Sequence, residues 1–310
     1  MIASTVLESI GNTPMVELHK VVPPRSGRVL VKLEWANPTG SMKDRMGKAV
    51  IEGAESDGRL RPEGTVVEYT GGTTGISLAL VCAAKGYRFH AVFSDVFSRE
   101  KLVTMRAFGA QVTVIPSRGS LITEKLIREM IETSKALSRQ PDHWWADQLT
   151  NHDALKGYFP LGEEIWSQTG GKIGAFVQAV GSAHALHGVT RALWRHNPEI
   201  HTVAVEPAES AVLSGHGTGS HRIEGIGIGF VPPLWDPGLV REIQTVSTAE
   251  AQAMARRLAS EEGLFAGTSS GANVVAALRV AARLGPEATV VTLLVDSGLR
   301  YVSTGLYDRQ

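Results

Sequence analysis

The chain has 310 residues, 43% hydrophobic and 20% charged, and its 31 basic and 31 acidic side chains cancel to zero. That length suffices for two ordinary cores, and a neutral balance without a basic run removes the field that gathers nucleic acid or an anionic membrane. The apolar runs at 76–84 and 289–295 are too short to span a bilayer, no signal-peptide pattern opens the chain, and a lone Cys82 in LALVCAAKG excludes an internal disulfide or a multi-cysteine metal site, so the expectation is a cytoplasmic protein with a buried thiol.

In chain order, β-branched runs alternate with helical patterns. A strand at 29–34 (VLVKLE) precedes a helix at 44–57. Strand 64–70 (GTVVEYT) precedes helix 74–85, strand 88–94 precedes helix 98–108, and strand 111–116 precedes helices at 120–138 and 153–168. Strand 175–180 leads into helix 185–195, strand 201–206 follows, helices come at 248–262 and 270–284, and strand 289–295 closes the series. Glycines stop several helices, as in KGY at 85–87 and FGA at 108–110. The alternation predicts an α/β fold with largely parallel sheets.

Ligands in such folds collect where strands end and helices begin. Three small-residue loops sit at such points: Thr70-Gly-Gly-Thr-Thr-Gly75, Gly181-Ser-Ala-His-Ala-Leu-His-Gly188 and Gly267-Thr-Ser-Ser-Gly271. One such loop is an ordinary turn; three suggest an anionic ligand held by backbone N–H groups and hydroxyls. No G-x-x-x-x-G-K-[ST] is present, and Gly225-Ile-Gly-Ile-Gly229 runs into Phe-Val-Pro-Pro, which cannot open a helix, so a nucleotide fingerprint is disfavoured.

Read together, SIGNTPMVEL (9–18), NPTGSMKDR (37–45), EYTGGTTGISLA (68–79), EGIGIGFVP (224–232), GTSSGAN (267–273) and DSGLRYVST (296–304) resemble, in order and over nearly the whole chain, the cysteine synthase / cystathionine β-synthase family of fold type II pyridoxal-phosphate enzymes. The resemblance implies two α/β domains, a smaller mobile one at 38–146 carrying the 70–75 loop and a larger cofactor-binding one from 1–37 plus 147–310. It also implies a homodimer.

By the same resemblance, Lys43 of NPTGSMKDR carries the pyridoxal 5′-phosphate Schiff base and serves as the catalytic base. Gly181, Ser182, Ala183, His184 and Ala185 replace the family's G-T-G-G-T phosphate loop; two glycines and a hydroxyl are gone, but backbone N–H groups remain. A cationic His184 against phosphate and a neutral His184 against substrate or ring are both open. His184 and His187 lack a third ligand, so no metal is expected. Ser269 matches the serine that bonds the pyridine nitrogen, a neutral partner that suits β-elimination and β-replacement over transamination.

The family's T-S-G-N-T-G substrate loop is here Thr70, Gly71, Gly72, Thr73, Thr74 and Gly75. Thr70, Gly71, Gly72 and Thr74, with Gln148 of DQLTNHDA and Gly225, are expected on the substrate carboxylate side. Thr73 stands where an asparagine reaches the cofactor's 3′-oxygen, with one hydroxyl for an amide. Gly71 stands for a serine and is expected to enlarge the pocket. The implied reaction is β-replacement on an O-activated serine through an α-aminoacrylate, with a small nucleophile as second substrate, giving cysteine or another β-substituted alanine. A β-eliminating lyase (serine/threonine dehydratase or cysteine desulfhydrase) and a non-catalytic partner protein are the alternatives. Trp144-Trp145 reads as a domain-boundary packing pair, 216–221 (HGTGSH) as a surface loop, and neither haem nor adenosyl-ligand regulation is expected.

Overall fold

The computed structural model describes residues 2–117, 119 and 122–308. Two sheets form the frame. The larger has strand order β1 (Met15–Glu17), β2 (Arg28–Leu33), β10 (Thr289–Leu294), β7 (Ala175–Ala179), β8 (His201–Pro207) and β9 (Glu242–Val246). Only β1 runs antiparallel. The smaller has order β5 (Gln111–Ile115), β4 (Arg88–Ser94), β3 (Thr65–Tyr69) and β6 (His143–Trp145), all parallel. Every residue of β3, β7 and β10 is buried, as expected of parallel strands covered on both faces.

Nine helices pack on these sheets among the described residues: α1 (Lys43–Ser56), α2 (Thr73–Lys85), α3 (Arg99–Ala107), α4 (Glu124–Leu137), α5 (His152–Lys156), α6 (Phe159–Gln168), α7 (His184–His196), α8 (Thr248–Arg257) and α9 (Thr268–Leu284). The first residue of the helix expected at 120–138, and the one after it, lie outside the described residues. The helix itself starts after Thr123, whose hydroxyl accepts from the Leu126 N–H. α8 ends in a π-turn over Leu258–Glu262. No described helix is long and apolar enough to cross a membrane.

Several expectations need correction. The single helix expected at 153–168 is two, because the chain turns at Gly157 and Tyr158 and Pro160 sits in the first turn of α6. Gly157 presses onto α1: a Cβ there would lie 2.6 Å from Arg45 O. Strands β1, β6 and β9 were not expected; β1 and β6 have three residues each, too few to show a period. Trp144 and Trp145 are thus an edge strand, with Arg59 and Lys135 each 5.7 Å over one ring. The 216–221 stretch is not wholly superficial, since His221 is buried and its Nε2 lies 2.8 Å from Gly227 O.

Behind α1 lies a buried charge cluster. The Arg45 guanidinium meets Glu34 at 2.7 and 2.9 Å and Glu164 at the same two distances, and Lys32 Nζ lies 2.7 Å from Glu164. Such clusters tolerate burial because opposite charges and hydrogen bonds replace water on every side. Cys82 is buried and its thiol is pushed up to about 12, as burial disfavours the thiolate.

Candidate active site

The C-terminal ends of β3, β7 and β10 converge, and the loops that leave them line one cleft. Lys43 is the first residue of α1. Met42 N–H donates to Val295 O at 3.0 Å, and the Lys43 N–H to Ser41 Oγ at 3.2 Å. The helix start is thereby pinned to the end of β10, and the Lys43 side chain lines the cleft with Thr73, Gly181, Ser182 and Gly225. Burial pushes its amine down to about 8, with Asp296 pulling the other way. A substantial neutral fraction at pH 8 is what a nucleophilic or basic lysine needs.

The 181–185 loop passes close under residue 225: a Cβ on Gly181 would lie 2.5 Å from Gly225 O. Ala183 is left-handed at φ 69° and turns the chain into α7. The first N–H groups of α7 have no intrahelical acceptor, which is what an anion-binding helix start requires. His184 is buried, its Nδ1 is hydrogen-bonded to Ser182 Oγ at 2.9 Å, and its Nε2 has no partner. Burial first, then the charges of Lys43, His187 and His152, push it down to about 3. In the empty cavity, burial favours the neutral form of His184. Ser269, in the first turn of α9, lines the same cavity, and neighbouring Ser270 is spent on the Val295 N–H at 2.9 Å.

The 70–75 loop is braced from within. Thr70 Oγ1 accepts from the N–H groups of Gly72 and Gly75, each at 2.9 Å, and Thr70 does not line the cleft. Its hydroxyl is spent on bracing the loop. Gly72 has φ +111° and lies against the Lys101 side chain, 2.5 Å from where its Cβ would stand, so only glycine serves there. Gly71, Thr73 and Thr74 do line the cleft, with Gln148. Gln148 is engaged: Thr74 Oγ1 donates to its Oε1 at 2.9 Å, and its Nε2 donates to Tyr69 O at 2.7 Å. The expected enlargement at Gly71 is taken up by Phe97, whose ring would be 3.1 Å from a Cβ there.

Sequence reasoning missed four side chains. Asp296, directly beyond β10 and 2% exposed, accepts from Tyr301 OH at 2.8 Å and from Thr73 Oγ1 at 3.4 Å, and its Oδ1 has no partner. Lys101 of α3 is 1% exposed, pairs with Glu224, and lies 4.4 Å over the Tyr301 ring. Phe97 is the fourth. Glu224 carried a signal, since it replaces a glutamine of the family pattern and a half-buried carboxylate calls for a cation. An acidic residue at the end of an apolar strand was the signal for Asp296.

These residues fit pyridoxal phosphate. A depressed amine, an anion-binding helix start with no room for a side chain at Gly181, and a hydroxyl at Ser269 share one cavity, and two buried polar atoms there, His184 Nε2 and Asp296 Oδ1, lack partners.

Comparison with known proteins agrees. A family model described as pyridoxal-phosphate-dependent enzyme matches residues 6–296. A cysteine synthase of Staphylococcus aureus is 40% identical over 304 residues, 97% of this chain and 96% of that one. The cysteine synthase structure from Entamoeba histolytica superposes with a TM-score of 0.92 at 36% identity, covering 100% of this chain and 92% of the other. An O-acetylserine-dependent cystathionine β-synthase from Helicobacter pylori gives 0.92 at 36% identity, covering 99% of each chain. On these matches the chain belongs to the pyridoxal-phosphate-dependent enzymes, in their cysteine synthase / cystathionine β-synthase family.

Proposed function

We propose that this enzyme carries out β-replacement on an O-activated serine or a similar β-substituted amino acid, giving cysteine or another β-substituted alanine. The observation that carries this reading is the Lys43 amine, pushed down to about 8 by burial in the cavity it shares with the start of α7 and Ser269. Lys43 would hold the cofactor, the N–H groups of 182–185 its phosphate, and Ser269 its ring nitrogen. When bound, pyridoxal phosphate supplies an electron sink that acidifies the Cα–H of an attached amino acid.

The chain's own groups then have distinct tasks. Lys43 takes the proton from Cα and returns it there after replacement. In the 70–75 loop the Gly72 and Gly75 N–H groups serve Thr70, which leaves those of Gly71, Thr73 and Thr74 for the donor's carboxylate at a helix start. Gln148 joins them by turning from Tyr69. Asp296 keeps Thr73 and Tyr301 in place and favours a charged Lys43 after proton uptake.

The 38–146 unit is proposed to close over the donor and exclude water. All four strands of the smaller sheet come from that range, and Thr73–Asp296 and Lys101–Glu224 are the bonds that closure makes. The family resemblance extends the proposal to a cytoplasmic homodimer.

The test is product analysis with O-acetylserine, with and without sulfide. The expected outcome is nucleophile-dependent cysteine, and loss of both turnover and the bound cofactor's visible band in Lys43→Ala. Pyruvate and ammonia formed at the same rate whatever the nucleophile would instead assign a lyase.

A further inference from the structure

Glu68 opens the EYTGGTTG stretch and lies one residue short of the reaction cleft. It belongs to β3, is 0% exposed, and does not line the cleft that Tyr69 and Gln148 line. We propose that Glu68 is a positioning residue of the donor site: its carboxyl fixes the backbone of Gln148, so that the Gln148 amide can swing between Tyr69 O and the donor's carboxylate about a stationary Cα. The inference rests on the β-replacement reading, in which Gln148 serves that carboxylate, and it names what holds Gln148.

The turn that follows β6 creates the need. After Ala146 the chain passes through Asp147, left-handed at φ 47°, a conformation that aspartate adopts more readily than most side chains. The Thr150 and Asn151 N–H groups close the turn on Asp147 O at 3.1 and 3.0 Å, and Asn151 Nδ2 ties it to Ala146 O at 2.9 Å. The Gln148 N–H takes no part in those bonds and donates to Glu68 Oε2 at 3.0 Å. An N–H in a partly buried turn needs an acceptor. The neighbouring β3 carbonyls are already engaged, Val67 O by the Ala146 N–H and Tyr69 O by Gln148 Nε2, so a side chain of β3 supplies it.

The same carboxyl helps to frame the amide. Gln148 Nε2 donates to Tyr69 O at 2.7 Å and lies 3.4 Å from Glu68 Oε1, while Gln148 Oε1 accepts from Thr74 Oγ1 at 2.9 Å. Acceptors on one side and a hydroxyl on the other fix which end of the amide carries the N–H groups. Turning Nε2 from Tyr69 to the donor exchanges a neutral acceptor for a charged one, which is the stronger bond. The backbone bond to Glu68 Oε2 is untouched by that rotation. A side-chain hinge requires this combination, one bond that breaks and one that stays.

A carboxyl in this place has no other evident use. Gln148 and Asp147 are the groups that act on it most, and neither is a cation. Burial pushes it well above the ordinary carboxylate range. An apolar side chain would fill a fully buried strand position without that penalty. The chain instead places there a group whose two oxygens both meet Gln148.

The test is a double-mutant cycle on the holoenzyme with O-acetylserine and sulfide, read as the KM of each substrate, kcat and the cofactor's visible band. Glu68→Leu should raise the KM for O-acetylserine by about ten-fold, the scale of one hydrogen bond, with the sulfide KM and the band unchanged. Gln148→Leu should raise it at least as far. The double variant should be no worse than Gln148→Leu alone, because Glu68 acts through Gln148. Glu68→Gln, which keeps an oxygen at the same reach, should recover most of the loss. If Glu68→Leu does not fold, Glu68→Asp, one methylene short, takes its place in the cycle. Additive losses in the double variant, an unchanged donor KM in the Glu68 variant, or equal losses for both substrates would overturn the inference and leave β-replacement intact. An unchanged donor KM in Gln148→Leu would overturn the placing of Gln148 on the donor's carboxylate, and this inference with it. Pyruvate and ammonia formed whatever the nucleophile would overturn β-replacement, while the donor's KM would still decide the role of Glu68.

Discussion

Gly71 and Phe97 divide one space between them: a Cβ on Gly71 would stand 3.1 Å from Phe97 Cε1 and 3.2 Å from its Cζ. The loop lacks the family's serine, and an aromatic ring occupies the room a serine side chain would need. Gly71 does not require a left-handed backbone, so its substitution is limited by the ring alone. Gly71→Ser should therefore lower kcat/KM for the amino-acid donor by roughly ten-fold, and Phe97→Leu in the same chain should restore part of it. Residues in direct contact couple by about 0.5–3 kcal/mol. A four-protein cycle in kcat/KM that is additive within error would contradict the shared space.

The Lys101–Glu224 pair joins α3 to the loop before Gly225 with side chains 1% and 13% exposed. Removing one partner of such a pair strands the other charge, at a cost of about 3–5 kcal/mol. Lys101→Met and Glu224→Gln should each lower the free energy of unfolding, read from urea denaturation, by that order. The double variant should recover most of the loss, because no uncompensated charge remains.

Thr70 holds two buried amides with one oxygen. Thr70→Val keeps the shape and strands both N–H groups, at about 1–3 kcal/mol each. The expected outcome is a higher KM for the donor with the visible band of the cofactor retained, since the loop is not part of the cofactor cradle apart from Thr73. Thr70→Ser should behave like the parent; a valine variant with an unchanged KM would show that the brace does not set the loop.

Two buried histidines give the fold a defined acid response. Burial pushes His184 down to about 3 and His187 to about 4, from an ordinary 6.5. Between pH 6.5 and 4 the unfolded chain takes up protons that the folded chain refuses. Stability therefore falls as pH drops through that window and is unaffected by these groups above it. His187→Gln, outside the cofactor cavity, should flatten the decline measured by denaturation at pH 7 and pH 4.5. His184→Asn should leave the pH dependence of cofactor affinity between 5.5 and 8 unaltered, as a neutral group has no proton to lose there.

Much of the frame could be read from the chain because buried parallel strands write themselves as apolar runs, rich in β-branched residues in β3, β5, β8 and β10 and bounded by turns in β2, β4 and β7. Lys43 and the loops after β3 and β7 were visible for the same reason, each at a strand-to-helix switch. What escaped has a common cause. Lys101 meets Tyr301 across 200 positions and Thr73 meets Asp296 across 223, and no local pattern announces such meetings. The lowered basicity of His184 in the empty cavity comes from burial that a sequence does not display. Phe97 against Gly71 was hidden because a glycine advertises space, not what fills it.

The charge cluster of Lys32, Glu34, Arg45 and Glu164 has a mechanical meaning. α1 opens within the stretch assigned to the smaller unit, yet Arg45, two residues after Lys43, is locked to β2's flank and to α6. The start of α1 is thereby tethered to the frame of the larger sheet, and the closure proposed for 38–146 has either to leave this part of α1 in place or to break those ionic contacts.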